Sequence, residues 1–201
     1  MTRNRFLEYG GILAGIVLIV FGIVAIGMGA NGRNTVRDSL KQEQIFFGDV
    51  SDPAVAAHAK NWAGDQVLTG SQARAFALIM HDHATEATGG LTYAEMGRYT
   101  AVADPTSAKG TNDAAAAVKD VKGNPIDNGA RNVWVTETGL STALNMSYMA
   151  ENLALFGMVV GVALLLSGIG FIILALRVLG GVPATRTEKD PAPSMQPAGQ
   201  M

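Results

Sequence analysis

The chain has 201 residues, no cysteine and a formal net charge of −2, from 15 basic and 17 acidic residues. Without cysteine, disulfides, thiolate nucleophiles and cysteine-ligated metals are excluded. The basic residues are scattered and outnumbered, so the sequence predicts no nucleic-acid partner.

Two long apolar runs dominate the sequence, residues 9–32 and residues 152–176, and neither contains a charged side chain. About 20 apolar residues cross the hydrocarbon core of a bilayer. The two runs therefore predict two transmembrane helices, and the fold class is an all-α membrane protein whose first partner is the lipid bilayer.

The first run could also be a secretory signal, because Arg3 and Arg5 precede it. Its apolar core is longer than the roughly 7–15 residues typical of a signal peptide, and residues 27–30 form a poor cleavage site. We interpret the run as a membrane span, and cleavage stays an open alternative.

The short ends of the chain indicate its orientation. Residues 1–8 and 177–201 are both basic, and excess positive charge beside a span stays in the cytoplasm. Three basic residues just beyond the first span favour the opposite orientation, but long connecting domains translocate largely regardless of charge. They are Arg33, Arg37 and Lys41. The prediction is a multi-pass plasma-membrane protein with both termini in the cytoplasm.

Residues 33–151 connect the spans and have room for one small extracytoplasmic domain, which we predict to be mostly helical. The first helix should continue to about Phe47. Asp52 and Pro53 are typical of a helix start, and that helix should reach about Trp62. A further helix is predicted from Thr69–Ser71 to the Gly89–Gly90 pair.

Three further elements are predicted before and after the second span. Thr92 and Glu95 form a capping-box pattern that favours a short helix, and residues 114–119 could form one or two helical turns. A helix from about Asn132 should lead into the second span. The proline-rich residues 177–201 cannot bury a core and are predicted to be disordered.

Both spans repeat small residues on one helical face. The first has Gly11, Gly15, Gly22 and Gly29, and the second has Gly157, Gly161, Gly168 and Ala175. Membrane helices associate where small residues let their backbones approach. The spacing predicts an antiparallel two-helix hairpin in which Gly15 faces Gly168, Gly22 faces Gly161 and Gly29 faces Ala154. The same register brings Arg33 near Glu151. Contact within one chain, between copies, or with another membrane protein is left open.

A channel or transporter is not predicted. Charged residues inside the membrane mark ion and proton pathways. The two spans offer only Ser167, with Asn31 and Asn152 at their edges.

His81, His83 and Glu86 are the weak candidates for a metal site, because two imidazoles and a carboxylate suit iron or zinc. Residues two apart on a helix point in nearly opposite directions. We therefore predict no metal, no cofactor and no catalytic residue. No phosphate-loop, dinucleotide or nucleophile-elbow motif is present.

Three runs carry a resemblance to a known family: residues 32–44, residues 83–96 and residues 130–138. They resemble an uncharacterised group of actinobacterial two-span membrane proteins that often carry the label "aromatic ring-opening dioxygenase". Such an enzyme holds ferrous iron with two histidines and a glutamate. The spacing of the histidines in this chain does not support that activity.

The sequence thus favours a non-enzymatic scaffold or accessory subunit that presents an extracytoplasmic helical domain. Two alternatives stay open, a metal-dependent membrane enzyme and an extracytoplasmic ligand sensor.

Overall fold

The computed structural model describes residues 2–179. Met1 and residues 180–201, where most of the predicted disordered tail lies, fall outside the described residues. Within residues 2–179 the protein is mostly helical and has isolated β-bridges but no β-strand.

Four α-helices make up the fold. They are α1 (Thr2–Gln42), α2 (Pro53–His58), α3 (Gly70–Ala87) and α4 (Gly129–Leu174). A 3₁₀ turn over Lys60–Trp62 follows α2, and a π-helical turn over Ala175–Leu179 follows α4.

Both long helices, α1 and α4, are long and apolar enough to cross a membrane. A core helix of a soluble protein would be largely buried, but only 11% and 17% of their most apolar windows are buried. Large side chains such as Phe21 and Phe156 are exposed over more than half of their surface. These helices are therefore candidate membrane spans.

α1 continues past its apolar run but ends at Gln42, before the predicted end at Phe47. Gln44 adopts a left-handed conformation with φ 53°. The Phe47 N–H then donates to the Asp65 carbonyl at 2.9 Å. This pairing draws the chain away from the helix axis.

Local capping signals set the bounds of α2 and α3. The Asp52 side chain accepts a hydrogen bond from the Ala54 N–H at 2.8 Å, with Pro53 as the first helical residue. Thr69 and Gln72 form a reciprocal capping box at the start of α3. Gly89 and Gly90 follow α3 with positive φ, as predicted for a helix end.

The two short helices predicted between α3 and α4 do not form. The Thr92 N–H donates to Glu95 Oε2 at 2.8 Å, yet only a turn results. Gly97 diverts the chain, because its N–H donates to the Lys109 carbonyl and an added Cβ would lie within 2.6 Å of the Thr111 backbone. Long-range pairing therefore overrides the capping signal.

The same correction applies to residues 114–119. The Val118 N–H donates to the Thr100 carbonyl at 2.9 Å, and the Val118 carbonyl accepts from Ile126 at 2.8 Å. Residues 114–116 form a single turn, and these bonds hold Ala117–Lys119 in β-bridge pairing in place of a helix.

The described residues form two compact units. One contains residues up to Ile23 and from Ala163 onward, and the other is Val24–Val162. The core of the second unit gathers around Phe47, whose ring stacks on Trp62 at 6.0 Å and meets Phe76 edge-on at 5.7 Å. Leu40 of α1 and Leu144 of α4 belong to the same core.

Candidate functional site

In the first unit, glycines let α1 and α4 touch backbone to backbone. A Cβ added to Gly15 would lie 2.7 Å from the Gly168 carbonyl oxygen and 2.5 Å from Ile172 Cγ1. A Cβ on Gly11 would lie 2.9 Å from the Ala175 Cβ. Larger residues at these positions would separate the helices.

In the second unit, Gly29 makes an equivalent contact. An added Cβ would lie 2.6 Å from the Ala154 carbonyl oxygen and 2.5 Å from Met158 Cγ, and a Cβ on Gly32 would lie 3.3 Å from the Ala154 Cβ. Gly29 thus lies against Ala154 here, and Gly15 lies against Gly168 in the first unit.

The other small residues of the predicted faces differ in their surroundings. Gly22 and Gly161 are buried. Gly157 is half-buried, and a Cβ added there would meet no atom within 4 Å. Gly157 therefore has no close neighbour, although it belongs to the predicted small-residue pattern.

Glu151 connects three helices in the second unit. Its Oε2 accepts a hydrogen bond from the Gly70 N–H at 2.5 Å, and its Oε1 accepts from Arg33 Nε at 3.3 Å. A carboxylate at a helix N-terminus is favoured by the unpaired N–H groups and the helix dipole. We call Arg33, Gly70 and Glu151 the Glu151 junction.

Gly70 is required for the close approach within this junction. A Cβ at position 70 would lie 2.7 Å from the Tyr148 Cα, so the first residue of α3 abuts the α4 backbone. The proximity of Arg33 and Glu151 follows from the predicted register. The role of Gly70 does not, because no local pattern relates position 70 to position 151.

The candidate metal ligands point to different neighbours. His83 Nε2 lies 2.9 Å from Asp52 Oδ2, whereas His81 Nδ1 lies 3.6 Å from Glu137 Oε1. Glu86 is exposed. Among residues 2–179, no group of three or more His, Asp or Glu side chains is placed to hold a metal ion.

The histidines instead link helices. His83 approaches the N-cap of α2 at Asp52, and His58 at the end of α2 lies 2.8 Å from Asp82 of α3. The Ala54 N–H lowers the pKa of the Asp52 carboxyl, partial desolvation opposes this shift, and the charge of His83 lowers it further. Asp52 therefore serves as helix cap and histidine partner at once.

A groove of about 560 Å³ runs between α3 and the start of α4. Apolar side chains such as Met80, Ala84 and Val133 line it, and Glu137 is its buried acidic group. The Ser141 hydroxyl donates to Glu137 Oε1 at 2.6 Å. The polar lining residues are His83, Asn132, Thr136 and Glu137. A mostly apolar groove of this size with a few polar groups is typical of ligand sites.

Glu137 was not among the residues singled out from the sequence. A buried carboxylate is costly unless it is paired and hydrogen-bonded. Trp134 lies one turn before Glu137 on α4 and Ser141 lies one turn after it, so the three share a helical face. This spacing is the sequence signal for Glu137. The Trp134 ring contacts the His81 ring edge-on, with the ring centroids 5.5 Å apart. His81 in turn lies 3.6 Å from Glu137.

No family model, curated protein or solved structure matches the chain.

Proposed function

We propose that this protein is a membrane-anchored, non-enzymatic scaffold or accessory subunit. Its two long helices form an antiparallel hairpin in the plasma membrane, with both termini in the cytoplasm. Residues 33–151 form the extracytoplasmic domain that meets partners. The observation that carries the proposal is the Glu151 junction, which fastens the domain helix α3 to both long helices.

Such an arrangement suits the presentation of a surface. The core of the domain takes Leu40 from α1 and Leu144 from α4, so the domain is built on the same helices that supply the spans. Close contact of Gly29 with Ala154 supports tight packing just below the junction. A domain held at several points can offer a partner one defined orientation.

The small-residue contacts also support the hairpin. Helices in lipid gain little from hydrophobicity when they meet, so backbone contact through glycine supplies the attraction. The Gly11–Ala175 and Gly15–Gly168 contacts run in antiparallel order, as two spans joined by an external domain require.

Partner capture tests the scaffold proposal. The full-length chain, affinity-purified from membranes in mild detergent, should retain membrane proteins in fixed stoichiometry. The Glu151→Ala variant should retain less of them, because the domain would no longer be fastened to the long helices. Glu43→Ala, the same substitution at an exposed glutamate outside the junction, is the matched control.

The same preparation tests the metal-enzyme alternative. Recovery of the chain without partners, but with stoichiometric iron or zinc that is lost on His81→Ala, would contradict the scaffold proposal.

The groove that contains Glu137 favours a second candidate function, extracytoplasmic ligand sensing. Its size and its single buried carboxylate fit a small apolar ligand with one hydrogen-bond donor or positive charge. A Glu137→Gln variant separates the two functions, because ligand binding should change while partner retention should not.

A further inference from the structure

The segment before α4 and the first turn of α4 each bring one arginine to the same cleft. The cleft has a volume of about 460 Å³, and Tyr93, Asn112, Arg98 and Arg131 line it. Neither arginine forms a salt bridge within residues 2–179. The surrounding residues 33–151 contain 14 acidic and 10 basic residues. The domain is therefore acidic as a whole, whereas the cleft is locally positive.

Arg131 has a donor with no acceptor. Its guanidinium Cζ lies 4.0 Å from the centroid of the Tyr93 ring. Stacking occupies the face of a guanidinium and leaves its in-plane N–H donors available. The Nε atom is buried and has no hydrogen-bond partner among the described residues. An anion in the cleft would therefore meet the terminal N–H groups of the Arg131 guanidinium, whose charge has no salt-bridge partner among the described residues.

The helix terminus adds positive potential at the same place. Arg131 is the third residue of α4, and the first turn of α4 contains no acidic residue. A helix dipole disfavours a cation at this end and favours an anion. An anion beside Arg131 would therefore be stabilised by both the side chain and the helix.

Asn128 fixes the backbone at both arginines. Its N–H donates to the Arg98 carbonyl at 2.9 Å, and its own carbonyl accepts from the Arg131 N–H at 3.1 Å. Its buried side chain donates to the carbonyls of Gly97 and Ala108 at 3.0 and 2.8 Å. The backbone that carries the two arginines is thus ordered before any ligand binds, which reduces the entropic cost of binding.

The neighbouring carboxylates do not fill the cleft. Glu95 Oε2 accepts from both the N–H and the hydroxyl of Thr92 at 2.8 Å. The pKa of Arg98 is raised, chiefly by Tyr99 and less by the charge of Asp127. The Asp127 carboxylate does not reach salt-bridge distance of Arg98.

We propose that the cleft of Arg98 and Arg131 binds an oxyanion, the phosphate or carboxylate group of a soluble molecule. Guanidinium groups recognise such groups through paired, charge-assisted hydrogen bonds. A volume of about 460 Å³ leaves room for more of the solute beside the anionic group. Arg131 lies about 30 Å along α4 from Asn152, at 1.5 Å per residue, so in the proposed topology a lipid headgroup is out of reach.

The proposal is tested by titrating inorganic phosphate into the full-length protein in nanodiscs of zwitterionic lipid, at constant ionic strength, with calorimetric detection. Wild-type protein should bind phosphate saturably. Arg131→Gln and Arg98→Gln should each weaken binding by about tenfold or more, the usual cost of one charge-assisted hydrogen bond. Arg74→Gln is the matched control, because Arg74 also stacks on a tyrosine, at 5.2 Å from the Tyr148 ring, but lies outside the cleft.

Circular dichroism establishes whether each variant is folded. If Arg131→Gln does not fold, Arg98→Gln alone tests the proposal, because Arg98 is exposed and its replacement should leave the fold intact. Absence of saturable binding by the wild type, or equal weakening by Arg74→Gln, would overturn the proposal. Competition by anionic lipid in the nanodisc would assign the cleft to headgroups and overturn the soluble-molecule assignment.

Discussion

At the scale of single residues, Glu151 has the most consequential position in the domain. Its side chain is only 13% exposed, and it accepts from a helix N-terminus as well as from Arg33. The two bonds contribute different amounts to the free energy of unfolding. Arg33 is nearly half exposed, and exposed ion pairs contribute about 0–1 kcal/mol, whereas hydrogen bonds to charged groups contribute about 1.5–3 kcal/mol.

Replacement of Glu151 by Ala should therefore destabilise the domain by about 1.5–3 kcal/mol, because the first turn of α3 loses its acceptor. Arg33→Gln should cost about 1 kcal/mol or less. Amide hydrogen exchange at residues 70–72 and thermal unfolding measure both effects. Equal losses from the two variants would show that the ion pair, and not the helix N-terminus, is the main contribution.

At the scale of elements, the helices follow two kinds of signal that the sequence shows directly. Hydrophobic runs predict the apolar parts of α1 and α4, and Asp52 and Thr69 predict the starts of α2 and α3 through side-chain capping. Both signals act within a few residues, so they can be recognised without tertiary structure.

Residues 88–128 show why local signals were insufficient elsewhere. Thr92 and Glu95 make their capping contacts, but Gly97 pairs with residues 109–111 and ends the turn. The cleft of Arg98 and Arg131 is likewise assembled by Asn128 from distant parts of the chain. Neither pairing has a periodic or spacing signal, so the sequence does not predict the cleft of Arg98 and Arg131.

Introduced disulfides test the pairing of α1 with α4. The chain has no native cysteine, so any disulfide that forms must join the introduced cysteines. Cysteines at Gly32 and Ala154 should form an intrachain disulfide, because their Cβ atoms would lie 3.3 Å apart, close to the roughly 3.5–4.5 Å of disulfides. Cysteines at Gly11 and Ala175 should also form a disulfide, after the helices separate slightly, because their Cβ atoms would lie 2.9 Å apart, closer than in disulfides.

Gly27 and Gly10 supply the controls, because a Cβ at either would meet nothing within 4 Å. Cysteine pairs 27/154 and 10/175 should stay reduced under the same mild oxidation. Non-reducing electrophoresis gives the result, and a covalent dimer in place of a compact monomer would place the contact between copies.

At the scale of the whole molecule, topology decides what the domain can meet. Val121 is fully exposed at the tip of a turn, so Val121→Cys reports on the side of the membrane that holds the domain. In the proposed orientation, a membrane-impermeant maleimide should label it in intact cells. Ser194→Cys in the basic C-terminal segment should be labelled only after the membrane is permeabilised. The reverse pattern would refute cytoplasmic termini.

The capping carboxylates have a consequence for acid tolerance. Asp49, Asp52, Glu95, Asp104 and Asp120 all have pKa values lowered, chiefly by hydrogen bonds within their own turns. Because each folded pKa lies below the unfolded value, the stabilisation is complete above the ordinary carboxyl range and is lost only as pH falls through the lowered values. In the proposed orientation, the domain would keep its turns intact in mildly acid surroundings and loosen them only in strong acid.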